Sequence, residues 1–222
     1  MASTGNRVRL GAVSLAVAGI LFVLYPAIRP FSDETSLQGA QAFASAAWIV
    51  AHMLAMAGFI LVALGLIGLH AALPNASGER LAFLSLIVWV VGAGLTLTFY
   101  GAEAYGLHAI GAAAVRQHNV ALVSLANDVR SGPGLVVFLV GLLLLGIASV
   151  ITATAIWKSR GWPRWSGVPF ALGFLLYIPQ FFGNQPLRVA HGLLVASGCL
   201  RIAVTMWQQS DKSTRSEVGS LG

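Results

Sequence analysis

Charge is what this sequence has least of. Only 9% of its 222 residues are Asp, Glu, Lys or Arg, where a water-soluble domain carries roughly 25%. So few charges cannot cover a water-facing surface. With 57% hydrophobic residues and a mean hydropathy of +0.82, lipid must take that role. Cysteine is nearly missing: Cys199 stands alone inside an apolar run, which excludes a disulfide framework and a cysteine-based metal site. Lysine is as scarce. Lys158 and Lys212 both lie outside the apolar runs, so no intramembrane lysine can carry a retinal Schiff base. There is no HExxH pair, serine-hydrolase motif or phosphate-binding loop, and no metal or cofactor is expected. The net charge of +6 and pI near 10.3 would point to nucleic acid in a soluble protein. Here the cations stand between apolar runs, with no basic–aromatic patch or zinc-finger spacing, and nucleic acid is not expected as a partner. A di-haem cytochrome would want histidine pairs at both membrane levels. His52, His108 and His191 do not supply them, which leaves haem binding a minor alternative.

What is present is a series of apolar runs over 8–28, 44–69, 81–105, 134–157, 167–183 and 187–207, near the roughly 20 residues that a membrane-crossing helix needs. The expected fold is an all-α integral membrane protein, a six-helix transmembrane bundle over 1–209 followed by a disordered cytoplasmic tail over 210–222. The first run continues to Tyr25-Pro26 without a small-x-small cleavage site, so it is expected as an uncleaved helix. The fifth is the shortest and holds Pro169 and Pro179, which kink or interrupt helices. Six spans put Arg7, Arg9, Arg80, Lys158, Arg160, Arg164, Lys212 and Arg215 on one side, and Arg29, Arg116, Arg130 and Arg188 on the other. That bias predicts a multi-pass cell-membrane protein with both termini cytoplasmic. The long third loop, 106–133, carries apolar residues interleaved with polar ones over 112–129, the pattern of an interfacial helix. Gly132-Pro133-Gly134 should end it and start the fourth span.

In lipid the expensive residues are the informative ones. Six of the seven acids fall in loops or the tail; Glu103 alone sits in or at the end of an apolar run. At about 1.5 Å per residue, the topology sets His52, Tyr100, Glu103 and His191 in the outer half of the bundle, with Gln180, Asn184 and Gln185 at its rim. Trp48 and His52, Tyr100 and Glu103, and Arg188 and His191 share faces at helical spacing. Desolvation of an inward-facing Glu103 would favour its neutral, proton-donating form. The expected site has Glu103, His52 and His191 as catalytic residues and Trp48, Tyr100, Tyr105, Asn184 and Gln185 as substrate-binding ones. An acid, two histidines and several aromatic rings around an apolar cavity suit a lipid-soluble substrate. Acid-initiated cyclisation of an isoprenoid, with ring faces stabilising the cation, needs no more than these. The alternative is a non-enzymatic membrane protein, such as a small transporter subunit or scaffold, although no internal repeat of the transporter kind is visible. A bundle of this size would need to dimerise for transport, so a homo-oligomer is a further expectation, beside membrane lipids as partners.

Four stretches carry a resemblance: AHMLAMAGFILVALGLIGLH (51–70), YGAEAYGLHAIG (100–111), WKSRGWPRWSGVPFALGFLL (157–176) and LRVAHGLLVASGCLRIAVTMW (187–207). Through them the chain resembles small actinobacterial six-helix membrane proteins. Among these it is similar in size and helical character to bacterial membrane-integral terpene cyclases of indole-sesquiterpenoid pathways. The resemblance implies protonation of a farnesyl chain by an intramembrane carboxylic acid, and Glu103 is the residue in position for it. Fungal membrane terpene cyclases use a Glu and an Asp on different helices. Here Asp128 would be the second acid if the third loop folds back over the cavity.

Overall fold

The computed structural model describes residues 4–73 and 76–219, with side chains at all of these except 76–77 and 212–219. Every regular element among the described residues is helical. In chain order they are α1 (Thr4–Ile28), α2 (Leu37–Phe43), α3 (Ala46–Ala72) and α4 (Ala76–Gly101), which runs through a π turn (Ala102–Gly106) into α5 (Leu107–Gln117). A 3-10 turn (Val120–Ser124) and α6 (Leu125–Val129) lead to α7 (Gly132–Lys158). A 3-10 turn (Arg164–Gly167), α8 (Val168–Leu175), another 3-10 turn (Pro179–Phe182) and α9 (Gln185–Gly219) complete the chain.

Among the described residues five helices are long and apolar enough to cross a membrane: Thr4–Ile28, Ala46–Ala72, Gly78–Gln117, Gly132–Lys158 and Gln185–Asp211. Their outward faces carry exposed Leu10, Ile20, Val136, Leu143 and Leu193, as helices solvated by hydrocarbon should. The run over 167–183 departs from the expected fifth helix. Only the eight residues of α8 are α-helical. Pro179 has no N–H to donate to Leu175 and its ring crowds that carbonyl, and α8 ends at Leu175. The broken segment nevertheless runs alongside α7. Gly167 packs on Ala153 and Ile156 of α7, while Phe181 meets Phe138 at 5.7 Å, about 22 Å away along α7 at a helical rise of 1.5 Å per residue.

The third apolar run also continues past its expected end at 105, through the π turn to Gln117. The interfacial helix expected over 112–129 is therefore split. His118 adopts a left-handed conformation (φ 47) and ends α5, Asn119 caps the 3-10 turn through its side chain, and α6 follows. Ser36 caps the short α2 in the same way. These short elements share a small core of Phe43, Trp48, Leu107, Ala114, Val123 and Ala126, a cap over one end of the bundle. The chain's two ends meet at the other, where Arg9 pairs with Asp211 at 2.8 Å. α9 continues without interruption through residue 210, where the tail is expected to begin, to Gly219; 220–222 lie outside the described residues.

Lipid tails supply little hydrophobic drive between helices, so close backbone approach has to hold the bundle. Elements α1, α3, α4, α7, α8 and α9 close a ring in that order, each packed on the next. The contacts run over glycine: Gly11 on Gly68, Gly92 on Gly141, Gly192 on Phe22 and Gly198 on Phe170. Inside the ring runs a stack of aromatic side chains. Trp89 meets Phe174 at 4.7 Å, Phe174 meets Tyr177 at 5.9 Å, and Phe59 meets Tyr100 at 5.5 Å. A methyl group at Gly11 would lie 2.6 Å from the Gly68 backbone, whereas one at Gly94 meets nothing within 4 Å. Gly11→Ala should therefore cost about 1–3 kcal/mol by overpacking, and Gly94→Ala less than about 0.5 kcal/mol. Thermal unfolding of the two variants in detergent measures the difference; equal midpoints would contradict the glycine-mediated packing.

Candidate functional site

The capped end of the bundle holds a cavity of about 510 Å³, large enough for a small organic ligand. Three segments outside the long spans reach it: residues 29–34 after α1, Arg130 after α6, and Phe181 in the broken segment. The remaining lining comes from Tyr25, His52, Phe99, Tyr100, Glu103, Phe138 and Arg188. Ring faces thus form much of the wall, while charged groups gather on one side.

Glu103 owes its place to the π turn. There the Leu107 N–H bonds back to the Ala102 carbonyl, one residue further than in an α-helix, which leaves the Glu103 carbonyl free. The indole N–H of Trp48 donates to that carbonyl at 2.9 Å. The widened turn carries the Glu103 side chain into the cavity, where Arg130 grips it with two parallel bonds: Nε to Oε1 at 2.5 Å and Nη2 to Oε2 at 3.0 Å. The other face of the Arg130 fork donates to Glu34, and Glu34 accepts from Arg29 at 2.8 Å. Arg29 lies over the ring of Trp48 at 4.5 Å and over Phe31 at 4.7 Å. The result is a continuous chain, Arg29–Glu34–Arg130–Glu103, tying the two loops to the end of α4.

The electrostatics follow from this pairing. Burial would push the Glu34 carboxyl up, but Arg130 and Arg29 outweigh it and hold Glu34 below its ordinary 4.5. Burial likewise works against the Arg130 charge, and its two carboxylate partners more than restore it. Asp33, at the exposed rim, is lowered by the hydrogen bonds it accepts from Thr35.

His52 completes the group. Its Nδ1 lies 2.7 Å from the Trp48 carbonyl; a carbonyl only accepts, so Nδ1 carries the hydrogen. In the neutral ring the Nε2 lone pair then faces Glu103 Oε2 at 3.7 Å. At that distance the two groups face each other without a hydrogen bond between them. The His52 ring is also packed against Trp48 and Tyr25 at 4.5 and 5.6 Å, so its orientation is fixed.

Of the residues expected at the site, His52, Tyr100 and Glu103 meet around the cavity. Trp48 lies behind it, fully buried, orienting His52 and the Glu103 backbone. His191 faces away on the far side of Tyr177, with ring centroids 5.2 Å apart, and its Nε2 donates to the Gly173 carbonyl at 2.7 Å. Asn184 accepts from the Leu187 N–H, and Gln185 donates to Pro26 at 3.2 Å; both close the helix end. Tyr105 points outward and is 56% exposed. The third loop does fold back over the cavity, but Arg130 reaches it and Asp128 does not line it. Sequence reasoning missed Arg29, Glu34, Arg130, Tyr25 and Arg188 as site residues. One signal was available: loops on one side carried charges of both signs.

Two outcomes test this geometry. Arg130→Gln leaves two carboxylates without their shared cation, and a double-mutant cycle with Glu103→Gln should return a coupling of about 1–3 kcal/mol. Additive losses would show that the pair is not formed. Glu34, lowered in the folded state, adds stability above pH 4.5 that is lost as the pH falls through its lowered value. Unfolding measured against pH should therefore show a shallower acid-side decline in Glu34→Gln than in the parent.

In comparisons with known proteins, no family model matches the chain, and no curated protein or solved structure matches it significantly.

Proposed function

We propose that the chain is an intramembrane enzyme acting on a lipid-soluble isoprenoid substrate, and that its reaction is acid-initiated cyclisation. In this reading the broken segment serves as the sixth crossing, the termini are cytoplasmic, and the capped end lies at the outer face of the cell membrane. The positive-inside bias of the loops supports that orientation. The observation that carries the reading is the opposed pair, His52 Nε2 and Glu103 Oε2, 3.7 Å apart in a cavity walled by Tyr25, Phe99, Tyr100, Phe138 and Phe181.

A proton passes from the Glu103 carboxyl to a terminal alkene carbon of the bound chain. The alkene electron pair forms the new C–H bond, the cation attacks internal double bonds, and a final C–H bond gives its proton back to the pair. The net change is an isomerisation, with no cofactor consumed. The ring faces of the walls lower the energy of the travelling positive charge. Arg130 is a positioning residue, which fixes the carboxyl through two bonds and leaves Oε2 turned towards His52. Glu103→Gln, assayed in membranes supplied with a farnesyl-chain substrate, should lower cyclised product by about 10²–10⁴-fold, the range for loss of a general acid. Product formed at the parental rate would sink the assignment.

One observation favours a second reading, a non-enzymatic membrane protein. Both Glu103 oxygens already accept from Arg130, as in a purely structural clamp. Under that reading Glu103→Gln lowers unfolding stability and no substrate turnover is found in the parent.

A further inference from the structure

Three arginines line the cavity, and they are not equivalent. Arg29 and Arg130 are matched by Glu34 and Glu103. Arg188 has no carboxylate within ion-pair distance among the described residues. Its Nε donates to the Gly183 carbonyl at 3.0 Å and its Nη2 to the Phe181 carbonyl at 2.6 Å. Its plane is held between the Phe31 and Phe181 rings at 5.2 and 5.7 Å. Nη1 has no acceptor among the described residues. A fixed guanidinium in a cavity, with an edge free, is a built receptor for an anionic oxygen.

A second opening lies beside it. Between the broken segment and α9 runs an open groove of about 340 Å³, lined by Leu176, Pro179, Leu187, Ala190 and Leu194. Leu176 and Leu187 are about half exposed in it, on the bundle's lipid-facing side. The groove exists because the Pro179 break ends α8 one turn early. Between groove and cavity is a void of about 10 Å³, room for about one water. Arg188 lines both the void and the cavity, and Gln180 and His191 line both the void and the groove. Gln180 is only 7% exposed and stands at this constriction.

We infer that the site takes a single-chain anionic amphiphile, its head bound by Arg188, its hydrocarbon chain held within the cavity towards Glu103, and the side groove serving as its way in. The ligand is admitted sideways from the bilayer. This rests on the proposal that the cavity is an isoprenoid site, and it narrows the substrate class to a prenyl chain that keeps a phosphate or carboxylate head.

Direct binding to the full-length protein in phosphatidylcholine nanodiscs tests this without requiring turnover. The probes are farnesyl diphosphate, farnesol (the tail alone) and inorganic pyrophosphate (the head alone). Farnesyl diphosphate should bind at least about 10-fold more tightly than either fragment, the scale of one charge-assisted hydrogen bond. Arg188→Gln should bring its affinity down to that of farnesol and leave farnesol unchanged. Leu194→Trp, which fills the groove, should slow the association of farnesyl diphosphate and farnesol by the same factor without slowing pyrophosphate. If Arg188→Gln does not fold, Arg188→Lys, which keeps the charge, should retain the preference for the charged head. An equal loss for both prenyl probes in Arg188→Gln overturns the head assignment. Unaltered association rates in Leu194→Trp overturn the sideways entry. Displacement of farnesyl diphosphate by added phosphatidylglycerol would show a lipid headgroup site instead. Head-and-tail binding that persists where no cyclised product forms would sink the proposed reaction and leave this inference standing.

Discussion

A backbone carbonyl without a donor is what hydrocarbon surroundings tolerate least, and the far end of this bundle is organised around three places where the helical ladder fails. At the π turn the Glu103 carbonyl loses its partner and the Trp48 indole replaces it. In the broken segment the Tyr177 N–H turns to Phe174 instead of Gly173, and His191 supplies the missing donor to Gly173. Further on, Arg188 donates to Phe181 and Gly183. Each repair uses a polar side chain that would otherwise be expensive in a membrane helix. The interruption and the polar residue offset each other.

The charged chain across the cap follows the same logic at larger scale. Arg130 and Glu34 are 96 residues apart in sequence, on loops with little apolar surface to hold them down. Pairing them within reach of Trp48 and Phe31 fixes both loops over the cavity and keeps α5 and α6 in place as a roof. A buried ion pair is weak as a source of stability but strong as a determinant of arrangement. Here the arrangement it determines is the aim of the Glu103 carboxyl.

Hydropathy alone located five long helices to within a few residues at most ends, because twenty apolar residues in a row leave a chain few alternatives. Charge partition then placed His52, Tyr100 and Glu103 at one level, and they do share a cavity. Other features were hidden for physical reasons. A helix that is apolar on every side has no stripe to mark its phase, so nothing at 102–106 announced an inserted residue or a continuation to Gln117. The seven residues of α2 are too few to show a period. Pro169 and Pro179 flagged a weak span, but whether proline kinks or ends a helix depends on what can satisfy the freed carbonyls, and His191 is 18 residues from the one it serves. Loop charges read as topology signals carried a second meaning that only proximity reveals.

That second meaning bears on how His191 and His52 differ. Both are histidines on long helices at the same end, His52 buried and His191 partly so, and both donate to a backbone carbonyl. For His191 that donation is a repair: it closes the Gly173 carbonyl of a neighbouring element, and its ring stands between the groove and Tyr177. For His52 the acceptor is the Trp48 carbonyl of its own helix, one turn back, which an α-helix already satisfies. The bond to Trp48 is therefore not needed by the ladder. What it does is fix which nitrogen bears the hydrogen, leaving a lone pair pointed at Glu103. A tautomer held by a bond the fold could do without is the arrangement expected of a group placed to handle a proton.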